Sequence, residues 1–404
     1  MTNMKFNIYK SEITKEILEN YYIATFYLES SVSLEDAAWN LAIGQSIGNP
    51  SARSEFETEE LYENHACLVL SDKKDLQNKS GIVQIAFPVK NINFKRDGIS
   101  QLLVQIMGGQ LDIDTIKKCQ LEDISFPESM MKEFKGPIIG LKEMKDFCNA
   151  HNRPLFGGIT KPKVGLSPEK HLDLVKRLVD GGCDFIKEDE ILSDPEHCPI
   201  EKRVPLVMEY IKSQNRKVFY CVSIHADHDE ILERVKKVYE LGGNGIHVNF
   251  HCGLGVYKSI RKLNLPLLVH FQKSGDKILN NTQHNYHINQ NVIFKLAALS
   301  GASTLHVGMI GGYSTTENDL IKKIIKNMNE VNSVPALSCG MHAGLIDNIN
   351  DILGHNNWMA NVGGALSSHP MGTLAGTKAI YQAVTNQKNE KEYLTAIEKW
   401  GYKK

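Results

Sequence analysis

Eight short apolar segments with strand character follow one another through the second part of the chain, and each is separated from the next by a helical stretch. They are 155–160, 183–187, 217–224, 245–250, 266–271, 303–309, 334–338 and 358–364. Such alternation predicts repeated strand–helix units, and eight of them are the number that closes a TIM barrel. An open doubly wound sheet is the alternative, but no GxGxxG fingerprint follows any of these strands. We therefore predict a (β/α)8 TIM barrel over 151–404.

The first part of the chain has a different pattern. Strand-like residues at 21–29 are followed by a helix that opens with a Ser-x-x-Asp cap at Ser33, then by strands from Ala66 and Gly81, a helix from Ile99 and a strand from Lys118. The order β-α-β-β-α-β is that of a ferredoxin-like α+β domain. We predict this smaller domain over 1–150, with its sandwich in about 1–135 and a linking helix near 140–150.

Charge and cysteine usage exclude several classes of protein. Lys and Arg number 46 and Asp and Glu 47, a net charge of -1 that gives no field for nucleic acid or an anionic membrane. No segment resembles a signal peptide or reaches the roughly 18 apolar residues of a membrane span. The eight cysteines contain no Cys-x-x-Cys pair. We expect a cytoplasmic protein with reduced thiols and no nucleic-acid or membrane partner.

Polar residues are dense where the predicted barrel strands end, which is where TIM-barrel active sites lie. They are Lys161 and Lys163 after the first strand, Lys187 to Glu190 after the second, His225, His251, His270 and His306 near the next four, Ser338 to Gly340 after the seventh, and Gly363 and Gly364 after the eighth. Taken alone, any one of them would be interpreted as a salt bridge or a satisfied histidine.

One segment brings a lysine and several acids to the barrel mouth together. Magnesium prefers oxygen ligands, and Asp189 and Glu190 can supply two of them. A carbamate on Lys187 would turn its ammonium group into a third, anionic oxygen donor. The alternative is a neutralised Lys/Glu cluster without a metal.

The ends of strands one, seven and eight suggest two further roles. Lys161 and Lys163 flank a proline that fixes the backbone, and such a pair is suited to proton transfer near neutrality, although a solvated lysine pair is the alternative. Ser167 and Pro168 are expected to cap the next helix. Glycines after the last two strands allow backbone N–H groups to approach a phosphate, although paired glycines are also common in turns.

These residues resemble a known family, the RuBisCO large subunit and its RuBisCO-like relatives, and most resemble a RuBisCO-like protein of the form IV type. GGITKPKVGLSPEKHL is similar to the family's strand-one segment, and GGCDFIKEDE is similar to its metal segment. The resemblance continues in order through LLVHF, LSGASTLHVG, ALSCGMH and NVGGALSSHPMG, so it covers the barrel well and the first domain more loosely.

The resemblance implies a role for individual positions. Lys187 resembles the lysine that is carbamylated, and Asp189 and Glu190 resemble its companion Mg2+ ligands. Lys161 resembles the lysine that moves the substrate proton, with Lys163 beside it. The remaining matches are barrel histidines that face the substrate, His270 and His306, and substrate-hydroxyl and phosphate contacts, Ser338, Gly340, Gly363 and Gly364. The family also implies a homodimer with active sites at the subunit interface.

The sequence departs from the carboxylases of this family at several positions. Tyr313 stands about where they present a lysine that steadies the new carboxylate, and Phe271 replaces an arginine for the second phosphate. In the first domain, Gly44 and Gly109 replace a glutamate and an asparagine that complete the neighbouring subunit's site. These departures leave enolisation in place and count against carboxylation and recognition of a bisphosphate.

The leading hypothesis is a magnesium-dependent enzyme that enolises a phosphorylated keto-sugar or keto-acid, with an enolase, isomerase or decarboxylase outcome. A methylthio keto-pentyl phosphate is one substrate that the relatives imply. The alternatives are ribulose-bisphosphate carboxylase activity and a metal-independent Schiff-base aldolase of the TIM-barrel type. A two-metal hydrolase would want His-x-His at strand one, where Thr160 and Lys161 stand, and the set Lys187, Asp189 and Glu190 argues against a catalytically silent scaffold.

Overall fold

The computed structural model describes residues 7–313 and 317–403. Within these ranges the chain forms two compact units, one up to Lys135 together with Gly275–Leu296, the other Gly136–Ser274 together with the chain from Ala297 onwards. The first six residues of the predicted smaller domain lie outside the described ranges. The helix expected near 140–150 is present as Leu141–Cys148 and is grouped with the second unit.

In the described part, the strands in chain order are β1 (Tyr21–Ser30), β2 (Leu68–Val69), β3 (Ser80–Pro88), β4 (Ile116–Ser125), β5 (Leu155–Ile159), β6 (Phe185–Lys187), β7 (Phe219–Ser223), β8 (Gly245–Asn249), β9 (Leu268–Gln272), β10 (Tyr286–Ile288), β11 (Thr304–Gly308), β12 (Val334–Leu337) and β13 (Met359–Val362). The α-helices are α1 (Lys15–Asn20), α2 (Leu34–Gly44), α3 (Glu59–His65), α4 (Phe94–Ile106), α5 (Glu128–Met131), α6 (Leu141–Cys148), α7 (Pro168–Asp180), α8 (Ile200–Ser213), α9 (His228–Glu240), α10 (Gly255–Lys262), α11 (Lys277–Asn280), α12 (Gln290–Leu299), α13 (Asn318–Glu330), α14 (Ile346–Leu353), α15 (Gly364–Ser367), α16 (Thr373–Val384) and α17 (Lys391–Trp400).

The first unit is built on a five-stranded mixed sheet in the order β10-β4-β1-β3-β2. Its central strand β1 is rich in aromatic and β-branched residues, which suit a pleated, half-buried surface, and it pairs antiparallel with both β3 and β4. The Ser33 side chain accepts a hydrogen bond from the backbone N–H of Asp36 at the start of α2, which confirms the predicted cap.

The edge strand β10 comes from far along the chain. It pairs parallel with β4, with Tyr286 opposite Cys119 and Ile288 opposite Leu121. The Lys295 ammonium, seven residues further on, donates to the carbonyl of Ile124 at 2.7 Å. Residues 275–296 therefore complete a sheet that the chain began some 265 residues earlier, at Tyr21.

The second unit is a closed barrel of eight parallel strands in the order β11-β12-β13-β5-β6-β7-β8-β9. All eight lie within the segments predicted from the sequence, or within one residue of them, and the predicted barrel preceded by a smaller α+β unit is confirmed. A buried cluster inside the second unit includes Leu155, Phe185, Phe219, Leu268 and Met359, one residue from each of five barrel strands. Because parallel strands present their carboxyl ends at one rim, the residues that follow them converge there.

None of the helices in the described part of the chain is long and apolar enough to cross a membrane. The eight cysteines, all within that part, form no disulfide.

Candidate active site

A cavity of about 600 Å³ opens in the barrel unit at the carboxyl ends of the strands. Its wall combines residues in or just after β5, β6, β9, β11, β12 and β13 with residues of the C-terminal segment. They include Lys161, Lys163, Lys187, Asp189, Glu190, Gln272, Ser274, His306, Gly311, Gly312, Tyr313, Ser338, Cys339, Gly340, Asn361, Gly363, Gly364, Trp400 and Lys403. All predicted site residues except His270 line this cavity.

The charged residues after β6 form the centre of the site. The buried Lys187 ammonium donates to a Glu190 carboxylate oxygen at 2.8 Å, and Lys161 donates to Asp189. Gln272 and Ser274 donate to Glu190 as well, each at 2.8 Å. Burial alone would raise the pKa of Glu190, but the Lys187 charge and the hydrogen bonds from Lys187 and Ser274 outweigh it and lower that pKa well below its usual range. Burial lowers the pKa of Lys187, against the opposing effect of Glu190.

Glu188 points to a different set of partners. Its carboxylate receives two hydrogen bonds from Arg203, at 2.7 and 2.9 Å, and one from the backbone N–H of Ser223 at 2.8 Å. The hydroxyl of Tyr220 also donates to it, and both Glu188 and Arg203 are fully buried. This network anchors the segment that carries Lys187, Asp189 and Glu190.

The donor set can be tested against a metal ion. Among the described residues, no group of three His, Cys, Asp or Glu side chains is arranged to hold one. Asp189 and Glu190 nevertheless bring two carboxylates to the cavity, where Lys187 is in contact with one of them. These two carboxylates fit a hard cation if Lys187 becomes a carbamate and supplies a third oxygen donor, and are incomplete if it does not.

The loop after β5 carries the two lysines. Lys161 is partly exposed and Lys163 is exposed, and both line the cavity. The backbone N–H of Gly165 in this loop donates to His197 Nε2 at 3.1 Å. Ser167 caps α7 by accepting from the Lys170 N–H, as the sequence predicts.

The two predicted histidines have different surroundings. His306 lines the cavity, and burial lowers its pKa to about 3, with the charges of Lys273 and Lys187 acting in the same direction. His270 is fully buried and does not line the cavity; its Nδ1 lies 2.7 Å from Thr304 Oγ1, and its Nε2 has no partner within the described structure. Its role in catalysis stays a prediction.

The glycines of the predicted phosphate site differ in what surrounds them. A Cβ on Gly340, whose φ is +98°, would lie 2.8 Å from the Tyr313 ring. The close approach of the loop after β11, which carries Tyr313, therefore requires a glycine at position 340. A Cβ on Gly363 would meet Lys161 Cε at 3.6 Å, an ordinary contact. A Cβ on Gly364 would meet no atom within 4 Å.

Two positions that depart from the carboxylase pattern have clear locations. Tyr313 lines the cavity while 84% of its surface is exposed. Phe271 is fully buried, packs against the Tyr257 ring with centroids 5.5 Å apart and does not line the cavity.

Several lining residues were not predicted from the sequence. Gln272 lies two residues after His270 and Asn361 two residues before Gly363, so alternation along a strand could have indicated both. Asn361 is 2% exposed and its Oδ1 has no partner within the described structure. Trp400 and Lys403 follow the last strand by about forty residues, and no spacing in the sequence points to them.

Comparison with known proteins matches both parts of the chain to the same family. Residues 140–400 match the family model of the ribulose bisphosphate carboxylase large chain, catalytic domain, and residues 10–130 match the model of its N-terminal domain. The chain is 30% identical to a ribulose bisphosphate carboxylase of Archaeoglobus fulgidus, with 98% of each chain covered. It is 28% identical to a ribulose bisphosphate carboxylase-like protein of the same organism, over 91% of this chain and 87% of that protein.

Among solved structures, the fold is similar to an octameric ribulose-1,5-bisphosphate carboxylase/oxygenase from Pyrococcus horikoshii OT3, with a TM-score of 0.89. The match covers 98% of this chain and 97% of that chain at 22% identity, so it bears on the fold alone.

Proposed function

The chain belongs to the ribulose bisphosphate carboxylase large-chain family, and on this premise we propose that it is a RuBisCO-like, magnesium-dependent enzyme that enolises a phosphorylated keto compound without fixing carbon dioxide. Enolase, isomerase and decarboxylase outcomes all pass through an enediolate of the substrate. Two observations support the proposal: the residues that line the cavity, and the absence of a basic side chain from the loop after β11.

The absence of a basic side chain after β11 is the observation that carries the proposal. From Gly308 to Ile321 the sequence contains neither lysine nor arginine, so no residue of this loop can supply the cation that steadies a new carboxylate in the carboxylases. Tyr313 can offer only a neutral hydroxyl at the cavity wall. Enolisation needs no such cation, because the carboxylate forms only in the later step.

Asp189, Glu190 and a carbamate on Lys187 would hold the magnesium ion. When bound, the ion would polarise the substrate carbonyl and so make the neighbouring C–H more acidic. The neutral amine is the form of lysine that reacts with carbon dioxide, and burial of Lys187 favours that form. Gln272 and Ser274 donate to Glu190 and would hold its carboxylate in a fixed orientation.

The remaining cavity residues bind the substrate and move its proton. Lys161 and Lys163 are the candidates for proton transfer; Lys161 donates to Asp189 and must release that contact and give up a proton before it can accept one from the substrate. Backbone N–H groups at Gly340, Gly363 and Gly364 would bind one phosphate, and Ser338 would bind a substrate hydroxyl. His306, neutral because of its low pKa, would orient the substrate without adding charge.

We also propose that the protein is a homodimer with its active sites at the subunit interface.

Carboxylase activity is the second candidate, because the Archaeoglobus relative at 30% identity carries that name. A Schiff-base aldolase is the third. It would be trapped by borohydride and would be insensitive to a chelator.

Deuterium exchange into a panel of keto-sugar phosphates, with magnesium and bicarbonate present, tests the proposal. We expect exchange that a chelator abolishes and that preincubation with bicarbonate increases. Lys187→Ala should lose more than about 99% of the exchange, since a metal ligand and the carbamate disappear together. Lys145→Met removes a second buried lysine, one that does not line the cavity, and should retain activity. Full activity of Lys187→Ala, or exchange unaffected by the chelator, would contradict the proposed metal site.

A further inference from the structure

Cys339 stands at a point of the cavity wall where the backbone favours glycine. It follows β12 and Ser338, its φ is +82°, and it lines the cavity. A positive φ is unfavourable for a residue with a side chain, because its Cβ comes too close to the neighbouring carbonyl oxygen. The fold therefore holds the thiol in the ligand space against an opposing conformational preference.

The hydrogen bonds around Gln272 determine which nitrogen of His306 carries the proton. The Gln272 Oε1 accepts from the backbone N–H of Lys273 at 2.9 Å, while its Nε2 donates to Glu190. His306 Nδ1 lies 3.3 Å from that same Oε1 and must be the N–H that donates to it. His306 Nε2 is then a bare acceptor, and the Cys339 thiol, 3.5 Å away, donates to it.

This arrangement makes His306 a poor partner for an anion. A phosphate needs donors, whereas the imidazole directs its N–H at Gln272 and offers the cavity side only an acceptor already taken by the thiol. Burial, which lowers the pKa of His306 to about 3, keeps the ring neutral at ordinary pH.

Among the described residues, the side chains of the cavity wall beside Cys339 are uncharged. Met341, close to Cys339 in sequence, and Tyr313, close to it in space, both line the cavity. No arginine among the described residues lines the cavity. The Lys403 ammonium donates to the Gly311 carbonyl at 2.8 Å. Sulfur and aromatic groups form a soft, polarisable surface that suits an uncharged group better than a dianion.

We propose that Cys339, donating to His306, is a specificity-determining residue that accepts the uncharged tail of the substrate and disfavours a second phosphate. This inference rests on the proposed function for the identity of the phosphate end, and it assigns the uncharged tail of the substrate to a particular pair of side chains.

Calorimetry with two probes tests the inference without any turnover. Wild-type protein should bind ribulose 5-phosphate at least as tightly as ribulose 1,5-bisphosphate. Cys339→Gly removes the thiol and suits the backbone, so it should shift the ratio of the two dissociation constants towards the bisphosphate by about 10-fold, the effect of one polar contact. Cys339→Ser keeps a donor to His306 and should shift the ratio less. An unchanged ratio in Cys339→Gly, or wild-type protein that prefers the bisphosphate 10-fold, would overturn the inference.

Alkylation by iodoacetamide, in which the thiolate sulfur bonds to the reagent's carbon and iodide leaves, gives a readout on unmutated protein. Ribulose 5-phosphate should slow alkylation of Cys339 at least about 5-fold when the site is nearly saturated. Cys252, also partly exposed but outside the cavity, is the internal control and should react at the same rate with and without the probe. Equal rates at Cys339 with and without the probe would count against the inference.

These outcomes are separable from those of the proposed function. If deuterium exchange is absent but the binding ratio shifts and Cys339 is protected, the inference stands while the enolisation proposal fails. If exchange occurs but the binding ratio does not shift and Cys339 is not protected, the enolisation proposal stands and the inference fails.

Discussion

Gly363 is a residue at which an added side chain should meet mainly the proposed phosphate. The structure accommodates a Cβ there at 3.6 Å from Ile159 and Lys161, so Gly363→Ala is compatible with the fold. We expect Gly363→Ala to raise KM for a monophosphate substrate roughly 10-fold, and Gly363→Val closer to 100-fold, because a charged hydrogen bond from the backbone is blocked.

Steady-state kinetics and phosphate calorimetry measure this effect. Ser367→Ala, an exposed change on the short helix that follows Gly363, is the control and should leave KM unchanged. Undiminished phosphate binding by Gly363→Val would place the phosphate elsewhere.

Lys145 is a buried lysine whose pKa links stability to pH. Its ammonium donates to the carbonyl and the side-chain oxygen of Asn356 at 3.0 and 2.6 Å, yet burial lowers its pKa to about 8, with the Arg153 charge adding to the effect. The unfolded chain keeps this proton up to about pH 10.5. Between pH 8 and 10.5 the unfolded state binds more protons, so the free energy of unfolding contributed by Lys145 rises with pH.

We therefore expect the difference in unfolding free energy between wild type and Lys145→Met to move in favour of wild type as pH rises from about 8 to 10.5. Below pH 8 the lysine is charged in both states and the difference should be constant. Urea titrations at several pH values measure it, and a difference independent of pH would contradict the assigned pKa.

For individual residues, the sequence predicts which side chains reach the cavity better than it predicts which atoms they contact. Lys187, Asp189 and Glu190 follow directly after a strand, and position alone brings them to the cavity. Cys339 also follows a strand, but its contact with His306 depends on a φ of +82° that no local pattern encodes. Lys403 reaches the cavity only because the C-terminal segment returns to it, which sequence spacing cannot show.

Among the secondary-structure elements, the segment from β6 to α8 depends on a buried ion pair. Arg203 on α8 binds both carboxylate oxygens of Glu188, and each side chain is fully buried. Arg203→Met leaves a buried carboxylate without its cation and should reduce the free energy of unfolding by about 3 to 5 kcal/mol.

Urea unfolding measures this change, and Lys236→Met is a control at an exposed ion pair. Lys236 pairs with the largely exposed Glu233, so its loss should cost only about 0 to 1 kcal/mol. A similar, small loss in both variants would contradict the anchoring role of the Glu188–Arg203 pair.

Elements with strong local patterns are predictable, and short elements paired at long range are not. The eight barrel strands are apolar runs between amphipathic helices, and each is found where its pattern predicts. The strand β10 has three residues and pairs with β4, some 165 positions earlier, so its existence depends on a distant partner. Propensity alone does not identify a strand of that length.

For the molecule as a whole, the proposed chemistry predicts that ribulose bisphosphate is not carboxylated at a useful rate. The reason is that no lysine or arginine lies between Gly308 and Ile321. Incorporation of labelled carbon dioxide, with magnesium and bicarbonate present, measures this. The same preparation should show magnesium-dependent deuterium exchange, which confirms that it is active, and magnesium-dependent formation of phosphoglycerate would overturn the prediction.

The late pairing of β10 with β4 has a consequence for synthesis on the ribosome. Domains made first usually fold first, yet the sheet that begins at Tyr21 lacks its edge strand until Ile288 has emerged. By then five of the eight barrel strands have been made, and in the meantime β4 presents an open edge of the kind that recruits other strands. A nascent chain stalled before residue 286 should therefore hold a first unit that is more open to protease and chaperone than one stalled after residue 296.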